Sequence, residues 1–160
     1  MNFLGFVAVG FGAAVGACLR WGLGTYFNHL HANVPIGTLL ANLGGAYVIG
    51  LCVGFFSSNP HLSPEWRLLI VTGFLGGLTT FSTFSAEAMQ LIQKGDWTWA
   101  FAHTALHLVG SIALCFAGLA TWRGIAQRNL YEPEWSMLTN DLDQRINANG
   151  RRKYTDVPAD

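Results

Sequence analysis

The segment GFLGGLTTFSTFSAE, residues 73–87, sets three glycines, five hydroxyl residues, two phenylalanines in F-x-x-F spacing and one acid inside an otherwise apolar run. These residue types suit ions. The hydroxyls of Ser82, Thr83 and Ser85 are neutral donors that can replace an anion's hydration shell without a fixed charge. Phe81 and Phe84 share a helix face by their i, i+3 spacing, and phenyl edges are positive enough to favour a small anion. Plain lipid or core packing is the commoner use of such a pair, and periodicity alone does not separate the two. Gly76-Gly77 followed by Thr79-Thr80 is the natural place for a helix to break. A break frees carbonyls that coordinate cations and exposes helix ends whose dipoles favour ions. The open alternative is a continuous helix with close-packed glycines and hydroxyls bonded back to the preceding turn. Composition favours the break.

Other segments supply matching stripes. Thr38 and Asn42 are i, i+4, while His103, His107 and Ser111 are i, i+4, i+8. Polar residues on one face at membrane depth mark a bundle interior or a water path. A single buried His more often bridges two helices. Three polar residues in one stripe tilt the reading toward a pathway. Arg20 can snorkel to the interface or attract anions at a vestibule. Glu87 is the only acid deep in an apolar segment, and a structural hydrogen bond inside the protein is its favoured role.

The elements that position these residues follow from hydropathy. Only 11% of the chain is charged and 51% is hydrophobic, against about 25% charged for soluble domains. Four apolar spans emerge, at about Phe3–Phe27, Ile36–Phe56, Trp66–Gln93 and Thr98–Trp122. Pro35 opens the second, "SSNPHLSPEW" is a loop, and "KGDW" turns the chain into the fourth. Trp21, Tyr26, Trp66, Trp97, Trp99 and Trp122 all fall near span ends, where aromatic rings favour the headgroup layer. The third span, about 42 Å long if fully helical, exceeds a hydrocarbon core of roughly 30 Å and leaves slack for an interruption.

Residues 1–122 carry only Arg20, Glu65, Arg67, Glu87, Lys94 and Asp96; the other charges lie in residues 123–160. This predicts a membrane domain over 1–122 and a polar tail over 123–160, partly disordered or with a short helix around 133–147. A formal net charge of zero argues against nucleic acid or an acidic surface as partner. The first span lacks the charged start and cleavage site of a signal peptide and reads as a retained helix. Cys18, Cys52 and Cys115 show no metal or disulfide spacing and read as buried thiols.

Small residues at Gly12-x-x-x-Gly16, Ala13-x-x-x-Ala17 and Gly50-x-x-x-Gly54 predict close helix packing in lipid. Four short helices do not easily enclose a polar path, so homo-oligomerisation is expected. Near the span ends, Arg67, Arg123 and Arg128 stand on one side against Arg20 and Lys94 on the other. That balance is too even to fix an orientation and permits an antiparallel dimer. A single orientation stays open, because Arg145, Arg151, Arg152 and Lys153 add to one side from farther away.

Together, "GAAVGACLRW", "PIGTLLANLGGAYVIG", "TGFLGGLTTFSTFSAE" and "HLVGSI", in this order, resemble the bacterial Fluc (CrcB) fluoride channel family over about residues 3–122. The resemblance implies an all-α, multi-pass protein of the bacterial plasma (inner) membrane, assembled as an antiparallel, dual-topology homodimer. Such a dimer passes fluoride down its gradient through two pores and relieves the cell of fluoride trapped after HF entry. By the same resemblance, Phe81 and Phe84 are pore phenylalanines with Asn42 beside them, and Ser82, Thr83 and Ser85 form part of a polar track. Arg20 sits near a vestibule, and Thr38, His107 and Ser111 join the pathway. Carbonyls of Gly76 and Thr79 from both subunits hold one central structural Na⁺. Family members commonly end soon after the fourth helix, whereas this chain continues for nearly forty residues.

Three other functions fit these residues less well. A four-helix proton-coupled drug exporter needs an acid in its first span, and none is present between Phe3 and Phe27. An intramembrane protease needs a positioned base and oxyanion donors around one serine, and no G-x-S-G motif occurs. A purely structural subunit has no use for a break, a Phe pair and polar stripes together.

Overall fold

The structure, a computed structural model, describes residues 3–155, with side chains described for residues 3–128 and 137–147. All regular structure among them is helical. Helix α1 spans Phe3–Phe27 and ends in a 3-10 turn at Asn28–Leu30. Helix α2 is Ile36–Ser58, and the Pro35 carbonyl accepts the Leu39 amide at 3.0 Å, so Pro35 does open this helix. The third span begins with α3, Pro64–Arg67, widens into a π-helix over Leu68–Leu75 and closes with the short α4, Gly76–Leu78. After two extended residues it resumes as α5, Phe81–Gln93. Gly95, at φ 78°, turns the chain into α6, Trp97–Thr155. Four of these segments are long and apolar enough to cross a membrane: Phe3–Leu30, Ile36–Ser58, Pro64–Gln93 and Trp97–Arg128.

By internal contacts the chain divides after Trp122. Within the tail, α6 continues to Thr155, and the short helix expected around 133–147 lies inside this longer one. Asp141 and Arg145 pair at 2.9 Å across one turn of it. The final five residues lie outside the described ones.

Backbone contact made possible by glycine holds the first unit together. A Cβ on Gly12 would strike the Leu69 carbonyl, and one on Gly16 the Phe74 carbonyl, so α1 lies directly on the π-helical stretch. In lipid, where no hydrophobic force drives helices together, such close approach supplies the packing energy. The π-turn, in which Gly76 N–H reaches the Val71 carbonyl five residues back, delivers this tightly held segment to the break. Ala41, Leu75 and Leu78 form the small buried core, with Leu23, Ile49 and Phe74 packed around it.

Much of the remaining apolar surface faces outward, as suits a bilayer. This corrects the expectation for the cysteines: Cys18 is exposed, and Cys52 and Cys115 are only partly covered. In a membrane chain an apolar neighbourhood means lipid as often as core.

Candidate functional site

The site is built around the break. Thr79 (φ −78°, ψ 153°) and Thr80 (φ −148°, ψ 120°) are extended, so the helical ladder stops at Leu78 and restarts at Phe81. Four carbonyls at a helix end and four amides at the next start need partners, and at membrane depth only protein groups or an enclosed wet cavity supply them. The Thr79 amide and hydroxyl both donate to the Leu75 carbonyl, at 2.9 and 2.8 Å. Arg20 Nε donates to the Gly77 carbonyl at 3.1 Å. Asn42 spans the break itself: its Oδ1 accepts the Thr80 amide at 2.7 Å and its Nδ2 donates to the Thr80 carbonyl at 3.0 Å. Thr80 Oγ1 then caps α5 by accepting the Thr83 amide at 3.1 Å.

A second set of polar groups continues from Asn42 toward α6. Asn42 Nδ2 lies 3.0 Å from His107 Nδ1. The His107 and His103 rings are 4.5 Å apart, and Phe84 stacks on His103 at 5.4 Å and tilts over His107 at 4.9 Å. His103 is fully buried and its Nε2 is 3.5 Å from Glu87 Oε2. The other Glu87 oxygen accepts from Thr38 Oγ1 at 2.6 Å. Asn28, just after α1, closes the series by accepting the Thr38 amide at 3.1 Å. One polar seam thus links all four spans.

Beside it lies a cavity of about 540 Å³, lined by Asn42, Thr79, Thr80, Phe81, Phe84, His107 and Ser111 among polar and aromatic groups. Six of the residues singled out from the sequence therefore converge on one space: Asn42, Thr79, Phe81, Phe84, His107 and Ser111. Ser82 and Thr83 stand at the first turn of α5 with their hydroxyls on Thr80 Oγ1, at 3.2 and 3.0 Å. Ser85 bonds back to the Phe81 carbonyl at 2.8 Å. Arg20 and Thr38 are engaged with Gly77 and Glu87 and do not line the cavity. Gly76 is exposed on the single chain.

Sequence reasoning placed Thr80 at the break but not as the residue that Asn42 clamps and that caps α5, and it missed Asn28. Thr80 carried a signal, a hydroxyl residue immediately before a helix start. Asn28 carried none, because its partner comes from the next helix.

Glu87, His103 and His107 each bring a ligand-type atom within 4.8 Å of the others, a spacing that could hold a metal ion. Glu87 Oε2, both His103 nitrogens and His107 Nε2 are buried without a hydrogen-bond partner among the described residues.

Four membrane-crossing helices, an interrupted third span and a polar seam at membrane depth define an integral membrane protein built around an ion or solute route. Residues 7–119 match the family described as "CrcB-like protein, Camphor Resistance (CrcB)". The chain belongs to that family. It is 60% identical over 126 residues to a protein of Cupriavidus pinatubonensis named fluoride-specific ion channel FluC, a match covering 79% of this chain and all of that relative. A protein of the same name from Pseudomonas putida is 61% identical over 122 residues, covering 76% of this chain and 96% of the relative. Another, from Tolumonas auensis, is 56% identical over 115 residues, 72% of this chain and 91% of the relative.

Proposed function

We propose that this protein is a fluoride-specific passive ion channel that lets cytoplasmic fluoride leave the cell. The observation that carries the reading is the cavity at the break, where Phe81 and Phe84, the Asn42 amide, His107 and Ser111 surround one space at membrane depth. Its polar lining consists of hydroxyls, an amide and an imidazole, with no Lys or Arg among the lining residues to trap a small anion. The names of the relatives supply the ion.

The working unit in this proposal is an antiparallel homodimer in the bacterial inner membrane. Phe81 is 79% exposed in one chain although it lines the cavity, so a second copy is needed to close the route on that side. The even balance of Lys and Arg about the spans permits both orientations. Phe81 and Phe84 present ring edges to the anion, and Ser82, Thr83 and Ser85 extend the polar track from the first turns of α5. Arg20 acts near a vestibule, and Thr38 joins the pathway through its bond to Glu87.

A central Na⁺ fits the donor chemistry at the break. The extended backbone at Thr79 takes its carbonyl out of a helix, Gly76 lies open on the chain surface, and carbonyl oxygens are the hard ligands that Na⁺ prefers. Gly76 and Thr79 of two copies would hold it, and the ion would lock the two breaks together.

The test is efflux from liposomes holding purified protein, followed with fluoride and chloride electrodes. Rapid fluoride loss with little chloride loss is expected. Well-folded protein that releases neither ion, or both equally, defeats the proposal.

A further inference from the structure

The spacing of Glu87, His103 and His107 invites a metal reading, but the hydrogen bonds around His107 argue for a different chemistry. The Asn42 amide is oriented without ambiguity. The Thr80 amide can only donate and meets Asn42 Oδ1, while the Thr80 carbonyl can only accept and meets Nδ2. The group that Asn42 presents to His107 Nδ1 at 3.0 Å is therefore an N–H donor. An Nδ1 that accepts this bond carries no proton. That excludes the Nδ1–H tautomer and the doubly protonated imidazolium together, leaving neutral imidazole with its proton on Nε2.

Resting on the channel reading above, we infer that the helix break sets the chemistry of the fourth span: the Thr80–Asn42 clamp locks His107 as an Nε2–H donor for the permeating anion. Asn42 is the positioning residue, and His107 is the anion-contacting residue it prepares. His107 lines the cavity, and its Nε2 is buried with no acceptor among the described residues, so a proton there has no protein partner. The nearby carboxylate does not occupy it: Glu87 Oε1 holds Thr38, and Oε2 lies against His103 Nε2 at 3.5 Å. The same lock disfavours a transition metal, because a coordinating imidazole nitrogen must be free of its proton. Moving that proton to Nδ1 would set it against the Asn42 N–H.

The primary test is ¹⁵N–¹H correlation spectroscopy of selectively ¹⁵N-histidine-labelled, full-length protein in lipid, with His107→Asn used to assign the ring. The expected result is a proton on Nε2 and none on Nδ1. Asn42→Asp replaces the donor by an acceptor and is expected to draw a proton to Nδ1. Fluoride efflux supplies the functional arm. His107→Gln places an amide N–H near the Nε2 position and is expected to keep most of the flux. His107→Asn keeps an acceptor for Asn42 but has no donor at the outer position, and its flux is expected to fall roughly tenfold or more, as for loss of one hydrogen bond to a charged group. A proton on Nδ1 in the unmutated protein overturns the inference, as do equal fluxes in the Gln and Asn variants. Zn²⁺ inhibition that disappears on replacing His107 would overturn it too, by showing a free nitrogen. The tautomer is read without any flux, so failure of the channel reading and failure of this inference remain distinguishable.

Discussion

Phe81 and Phe84 face the same cavity but differ in what else they touch. Phe81 is mostly exposed on the single chain, whereas Phe84 covers both histidine rings. Phe81→Ile is therefore expected to impair fluoride efflux while leaving monomer stability within about 0.5 kcal/mol. Phe84→Ile is expected to impair efflux and also cost on the order of 1 kcal/mol through lost packing. Efflux and thermal unfolding in detergent check both, and native flux in the two variants would remove the rings from the mechanism. Thr38 makes a different prediction. Thr38→Val keeps the shape but removes the 2.6 Å bond to Glu87, and a buried acceptor left without its donor costs about 1–3 kcal/mol. Thr38→Ser should retain most of that stability. The stripes Thr38/Asn42 and His103/His107/Ser111 were legible because helical spacing alone puts them on one face. Their partners were less so. Glu87 read as the holder of an internal hydrogen bond, but that the donor would be Thr38, 49 residues away, depends on how α2 and α5 pack.

At the scale of elements, the fit of α1 on the third span decides where the break sits. Gly12 and Gly16 face carbonyl oxygens of the π-helical stretch, and Arg20, one turn further on, reaches the Gly77 carbonyl. Gly16→Ala puts a methyl group into rigid backbone rather than against a flexible side chain. It is expected to destabilise by about 1–3 kcal/mol and to loosen the Arg20 bond at the break, seen as lower thermal stability and lower flux together. Gly10→Ala is the control, since a Cβ there meets nothing within 4 Å. Loss of stability in the control as large as at Gly16 would reject the contact as the cause. The break itself was readable from Gly-Gly-Leu-Thr-Thr, a weak helix former at every position but one. The π-turn was not. LLIVTGFL is an ordinary apolar run, and nothing in it signals that one residue per turn is to be added. The tail's long helix was also not legible, because its polar sequence has no long apolar periodic run and suggested only a short helix around 133–147, whereas the helix runs to Thr155.

The whole molecule raises a question that one chain does not close. Between 11 and 22% of each span's most apolar window is buried within the chain, and the cavity is open at Phe81. Lipid satisfies apolar side chains, but it does not satisfy a polar route or the carbonyls at a helix break. In the proposed dimer a second copy would satisfy them, and if it is antiparallel, the two breaks would meet about one axis and both routes would be completed at once. Arg67, Arg123 and Arg128 against Arg20 and Lys94 leave insertion nearly unbiased, so both orientations should be made in similar amounts. The measurement uses His61→Cys, in the loop between α2 and α3, with Cys18, Cys52 and Cys115 replaced. A membrane-impermeant maleimide added to intact cells should label roughly half of the chains, and the remainder only after permeabilisation. Labelling of all chains, or of none, from outside would mean a single orientation and would defeat the antiparallel dimer. Adding lysines beside residue 61 supplies the converse test. It should drive the chains to one orientation and reduce fluoride efflux, and coexpression with a copy charged on the opposite side should restore it, because each chain then regains an inverted partner.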